Sequence, residues 1–249
     1  MRKIPILLLC LLLATLLFSC KVKPREIPPM PEKGAIEATL NTAVDPMELP
    51  ALKEGELDQK ITWARTNLQM CEEGIQAKRD TCNEREAAKL HLMLGDLRMI
   101  EKNNETAIKH YEQAILANYM AFEADNKQRS SLLDLNQKEI GKLGEQNNLK
   151  AGRAYIECKY AVEAHRDFAE MARAERRLMQ AQKAAGNEDA VADALLRSNK
   201  AIEKAVENRM NYERNKREIL RVIDNLGPDF QQFLTQIDTW DVEMDIRRF

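Results

Sequence analysis

The chain has 249 residues, with 38 Lys and Arg against 40 Asp and Glu, for a net charge of −2. It carries no basic excess to neutralise phosphates, so nucleic-acid binding has no electrostatic support. Nine glycines and 5% aromatics, beside abundant Ala, Leu, Glu, Lys, Gln and Arg, give a helical composition with little loop from which to build a phosphate cradle.

Residues 4–19 are uncharged, follow Arg2-Lys3 and run straight into Cys20. A basic start, an apolar stretch short for a bilayer span and a small residue at the junction read as a secretory signal over 1–19. Leu17-Phe18-Ser19-Cys20 resembles the lipobox of bacterial lipoproteins. The resemblance implies cleavage before Cys20 and acylation of its sulfur and its new amino group. Two or three acyl chains hold a protein on a membrane where one is marginal. Lys21 stands where the enterobacterial inner-membrane retention rule requires Asp, so the resemblance favours the periplasmic face of the outer membrane. An uncleaved anchor helix, or a signal cut elsewhere, is the alternative. Loss of Arg2 and Lys3 with residues 1–19 moves the net charge from −2 to −4.

Seven of the eight prolines precede residue 51, and the eighth is Pro228. Proline breaks helix interiors, so the tract from about 52 to 226 can be mostly helical. Residues 20–52 read as the lipidated Cys and a proline-rich tether, reaching roughly 100 Å when extended. A short helix near 35–44 would shorten that reach.

Leu57, Ile61, Ala64, Leu68 and Cys71 recur every three or four residues and predict a helix over 57–76. Asn83 can cap a second helix running to about 102, with Ala87, Leu90, Leu94 and Leu97 on its apolar side. Asn103-Asn104 breaks it, with Asn104 as the next cap, and a third helix spans 105–119. Leu94-Gly95, Ala107, Tyr111 and Ala114 fall at the intervals of a tetratricopeptide repeat, which residues 88–121 resemble. The resemblance makes Leu94, Gly95, Ala107, Tyr111 and Ala114 structural: the small residues admit close approach and Tyr111 wedges between the helices. It puts Arg98 on a concave, partner-binding face. His91, Arg98 and Tyr119 depart from the repeat's usual Trp, Tyr and Pro, and a generic helical hairpin is the alternative.

Residues 123–226 read as a long antiparallel helical hairpin or bundle. Ala151, Tyr155, Cys158, Val162, His165, Ala169 and Ala172 step by four and three along one arm over 149–185. Gly186 stops it, and Val191, Leu195, Ile202, Ala205, Tyr212, Ile219 and Ile223 form the facing stripe over 188–226. A helix over 131–143 is expected as a third strand. Ser198, Arg209 and Lys216 fall on the same steps, predicting weak packing there or a neighbour that fills it. Gly227-Pro228 ends the tract, and 227–249 carries a short amphipathic helix (Phe230, Phe233, Leu234, Ile237, Trp240, Val242) that caps the bundle.

Cys71 and Cys82 flank the turn between the first two helices. An oxidising periplasm would make them a disulfide stabilising by roughly 3 kcal/mol; two unpaired thiols are the alternative. Cys158 lies on an inward stripe and reads as a small core residue. His91, His110 and His165 show no metal-ligand spacing, and no cofactor motif occurs. His165-Arg166-Asp167 spells the kinase catalytic-loop triplet, but mid-helix and without a glycine-rich loop. These observations lead to an all-α, non-enzymatic, lipid-anchored envelope scaffold that needs no cofactor, sits on the membrane through Cys20 and binds another envelope protein. A self-associating coiled-coil lipoprotein is the second reading. A cell-wall-polymer enzyme, which would need a deep polar cleft near His91 or His110, is the third.

Overall fold

All regular structure in a computed structural model, which describes residues 27–44, 49, 52–79, 82–139, 146–223 and 232–244, is helical. The described elements are α1 (Lys33–Val44), α2 (Glu54–Gln76), α3 (Glu84–Ile100), α4 (Asn104–Glu139), α5 (Gln146–Ala185), α6 (Glu188–Val222) and α7 (Gln232–Glu243). The chain is all-α. Its consecutive helices α2 to α6 pack as antiparallel neighbours. Residues 1–26, including the expected signal and Cys20, and the Gly227-Pro228 break lie outside the described residues.

Local signals set the helix ends. Asn83 accepts the Glu86 backbone N–H at 3.0 Å and caps α3 as expected. The α4 cap is Asn103, not Asn104: its side chain accepts the Thr106 N–H at 3.2 Å. Lys102, at φ 61°, makes the left-handed step before it. Gly186, at φ 79°, turns the chain between α5 and α6, a conformation that glycine adopts without penalty.

The third helix does not halt at Tyr119, nor is 131–143 a separate helix. Residues 105–119 and 131–139 both belong to α4, which runs through the expected boundary at 122/123, while 140–143 lie outside the described residues. No glycine or proline interrupts it, and each turn in between finds a partner on or beside α5. Ala121 is buried, Phe122 meets Phe168 at 4.9 Å between ring centroids, and Arg129 bonds Glu157 at 3.1 Å.

The α5–α6 hairpin forms the spine, with arms of roughly 50–60 Å at 1.5 Å per residue. On α5 the expected stripe is inward, with Ala151, Cys158, Val162, His165, Ala169 and Ala172 all buried. On α6 one expected residue is misplaced. Leu195 is exposed, and Ala194 takes the inward position against Ala107, Leu178 and Ala181, where only a small side chain lets the helices close.

The polar seam positions find partners within this chain. Ser198 donates to the Ala172 carbonyl at 3.2 Å and accepts from Arg176 Nε at 3.0 Å. Arg209 donates to the Met244 carbonyl at 2.9 Å, and Lys216 reaches Asp241 at 2.6 Å. α7 supplies the last two contacts by folding over the hairpin's open end. There Ile237 and Trp240 are buried, Phe233 stacks on Tyr155 at 4.1 Å, and the Tyr212 hydroxyl donates to Asp241 at 2.7 Å.

The expected tether is partly ordered. Ile36, Leu40 and Val44, spaced four apart, are buried in a cluster with Ala169 and Ala172 of α5 and Ile202 and Val206 of α6. Burial of these three aliphatic side chains contributes roughly 5–8 kcal/mol, as an upper estimate, to docking α1 on the hairpin.

Candidate partner-binding groove

The α3–α4 pair has the wedge geometry its spacing implies. Leu94, Gly95, Ala107, Tyr111 and Ala114 are all buried. The Tyr111 ring lies against Gly95 so closely that a Cβ on Gly95 would meet Cε1 at 2.4 Å. Its hydroxyl donates to Asp96 Oδ1 at 2.8 Å, and the Arg177 guanidinium stands 3.4 Å from the same oxygen. The wedge fixes α3 at a set height over α5.

At the other edge of α3, Cys71 of α2 pairs with Cys82 in a disulfide with a Cα–Cα distance of 5.1 Å, closing the turn between α2 and α3. Ile61, Ala64 and Leu68 of α2 pack with Ala87, Leu94 and Leu97 of α3. The outward residues of both helices then bound a recess of about 770 Å³, lined by Trp63, Met70, Lys89, Met93 and both cysteines. Trp63 and Met70, seven residues apart and so on one face of α2, are each 56% exposed. A second recess of about 500 Å³ lies between α3 and α5, with Leu52, Lys60, Asp96, Ile100, Glu170 and Arg173 on its walls. Both share Lys89 and Met93, so they form one groove with α3 as floor and α2 and α5 as sides. Its lining mixes apolar side chains, among them Trp63, Met70 and Met93, with charges of both signs from Lys60, Lys89, Asp96, Glu170 and Arg173.

A second tie between α3 and the rest of the bundle is an arginine near its start. Arg85 grips the buried Asp167 of α5 with Nε at 2.6 Å and Nη2 at 2.8 Å, bonds Asp125 of α4, and stands 3.6 Å from Glu163. Burial pushes the Asp167 carboxyl up to about 6, against the downward pull of Arg85. Asp167, in the kinase-like triplet, is therefore a structural anchor. His165 is likewise structural: Nδ1–H donates to the Ala205 carbonyl at 2.8 Å, and burial holds its pKa down at about 4. Burial raises the Cys158 thiol well above its ordinary range, leaving it inert.

His91 and His110 face each other with Nδ1 atoms 3.1 Å apart. Only one of those nitrogens can carry the shared proton. Burial lowers both pKa values, that of His110 to about 4 with His91 as the next cause. Neither imidazole lines the groove. Among the described residues no group of three or more His, Cys, Asp or Glu is placed to hold a metal ion, and no helix is long and apolar enough to cross a membrane.

No family model, curated protein or solved structure matches the chain.

Arg98, expected on the concave face, lines neither recess. Its side chain is 12% exposed, bonds Glu101 at 2.5 Å and lies close enough to His110 to lower that pKa. The repeat pattern chose it by position, but the open side of α3 here is the one bearing Lys89, Met93 and Asp96. Sequence reading passed over Trp63 and Met70. The available signal was their place off the Ile61, Ala64, Leu68, Cys71 stripe, where large apolar side chains have no core to enter.

Proposed function

We propose that the chain is a non-enzymatic, lipid-anchored scaffold of the bacterial cell envelope, which holds a segment of another protein in the groove along α3. The observation that carries this reading is the groove itself. Two large apolar side chains, Trp63 and Met70, stand exposed beside Met93 on a floor braced by a disulfide at one side and the Tyr111 wedge at the other. Such a surface costs solubility unless something covers it. The strongly shifted groups support a non-enzymatic role, because Asp167, His165 and Cys158 are engaged in packing between helices rather than converging on the groove.

The Leu17-Phe18-Ser19-Cys20 pattern supports the anchor, on the periplasmic face of the outer membrane. With α1 docked, only about 13 residues separate Cys20 from the first helix, so the body stands within roughly 45 Å of its anchor rather than 100 Å. The test has two arms. Mass spectrometry of chain extracted from envelope membranes is expected to find an N-terminal acylated Cys20. A photo-crosslinking residue at Trp63 or Met70 in intact cells is expected to give one discrete adduct that the same residue at Arg98 does not. A soluble chain with an unmodified start refutes the anchor, and equal labelling from Arg98 and the groove refutes the binding face.

A further inference from the structure

On the outer side of α4, away from α3 and α5, Leu116, Tyr119 and Met120 stand 49%, 48% and 50% exposed on one face of the helix. They are the centre of a longer strip. Glu105, Lys109, Glu112, Leu116, Tyr119, Glu123 and Lys127 step by four and three, the spacing that keeps residues in line on a helix meeting another helix. Glu105, Lys109, Glu112 and Lys127 are exposed and Glu123 holds the Tyr119 hydroxyl, while Glu112 also lies close enough to Glu175 of α5 and Arg197 of α6 to act on their charges.

The order of charges along the strip selects a partner. A parallel second strip in register sets Glu on Glu and Lys on Lys. An antiparallel copy with its two-fold axis at Leu116 sets Glu105 opposite Lys127 and Lys109 opposite Glu123, each pair occurring twice by symmetry. Leu116 then meets its own copy, and Met120 lies along the aliphatic stem of Glu112. Moving the axis to residue 118 places Lys109 on Lys127 and loses both pairs. The register about Leu116 therefore joins the apolar centre to four of the five charges on the strip, with Glu112 left facing Met120 and its own neighbours Glu175 and Arg197.

We infer that the outer face of α4 is a homodimer contact, in which two copies of this chain pair antiparallel about Leu116. The apolar centre is small, so the dimer is weak and concentration-dependent rather than obligate. It is independent of the α3 groove, since none of the strip residues lines either recess.

Site-directed disulfide trapping in the full chain on its native membranes tests it. Leu116→Cys is expected to form a disulfide-linked dimer at least ten-fold more readily than Leu196→Cys, a comparably exposed site on α6. In the Leu116→Cys background, Lys109→Glu and Glu123→Lys are each expected to cut the yield several-fold, and the two together to restore it. All three charge variants lie on the surface, and unchanged circular dichroism will show that they fold. Trapping from Leu116 no greater than from Leu196 overturns the interface. A double charge variant no better than either single overturns the antiparallel register.

Discussion

Gly95→Ala probes the wedge between α3 and α4 with a single methyl group. The new Cβ would lie 2.4 Å from Tyr111 Cε1 and 2.6 Å from Cδ1, where carbon atoms normally rest about 3.5–4.0 Å apart. The ring must therefore retreat by about 1 Å. It cannot swing into solvent, because Tyr111 is 1% exposed and its hydroxyl is held by Asp96. Overpacking of this kind costs about 1–3 kcal/mol. Alanine's advantage over glycine inside a helix returns roughly 0.5–1 kcal/mol. The net loss spans about 0–2.5 kcal/mol and centres on about 1 kcal/mol, a fall in Tm of roughly 2–4 °C for a chain of this size. Thermal melts followed by circular dichroism measure it, and Tyr111→Leu supplies the control. With the ring shortened, Gly95→Ala should cost clearly less in the double variant than alone. Gly95→Ala more stable than the parent chain would refute the close approach of the two helices.

Arg85→Ala leaves the Asp167 carboxylate buried at 1% exposure with its fork removed, so urea denaturation at pH 7 should show a loss of about 3–5 kcal/mol. Arg85→Lys, which keeps the charge but not the two-pronged geometry, should fall between. His165 is neutral in the fold and must exclude a proton that the unfolded chain accepts below about pH 6.5. Its contribution is complete at pH 7 and is lost as pH falls from 6.5 toward 4. The carbon-bound imidazole proton resonances of His165 should accordingly titrate near pH 4, and a midpoint above 6 would show that the seam is open to water.

Periodicity made much of this fold legible. The α5 stripe, the Asn83 cap and the Gly186 turn follow from local rules that the residues state outright. The errors fell where long-range contacts decide. Nothing near residues 119–131 reveals that Phe122, Asp125 and Arg129 have partners on α3 and α5, so the unbroken length of α4 was hidden. Leu195 fits the apolar spacing as well as Ala194 does. Only the closeness of α5 and α6 near their turn selects the smaller residue. The groove was hidden for a related reason. The open side of a helix depends on which neighbours crowd it, and here Glu101 and, from α4, His110 lie against Arg98 while α2 and α5 stand apart over Lys89 and Met93.

The docking of α1 on the hairpin decides how this molecule bears load. Tension on the chain ahead of Lys33 meets the Ile36, Leu40 and Val44 contacts before it reaches any other helix. Release of those twelve residues would lengthen the link from about 18 Å as helix to about 40 Å when extended, a gain of roughly 20 Å. Under the proposed anchoring ahead of Lys33, α1 is therefore the first helix that a pull on the chain would reach.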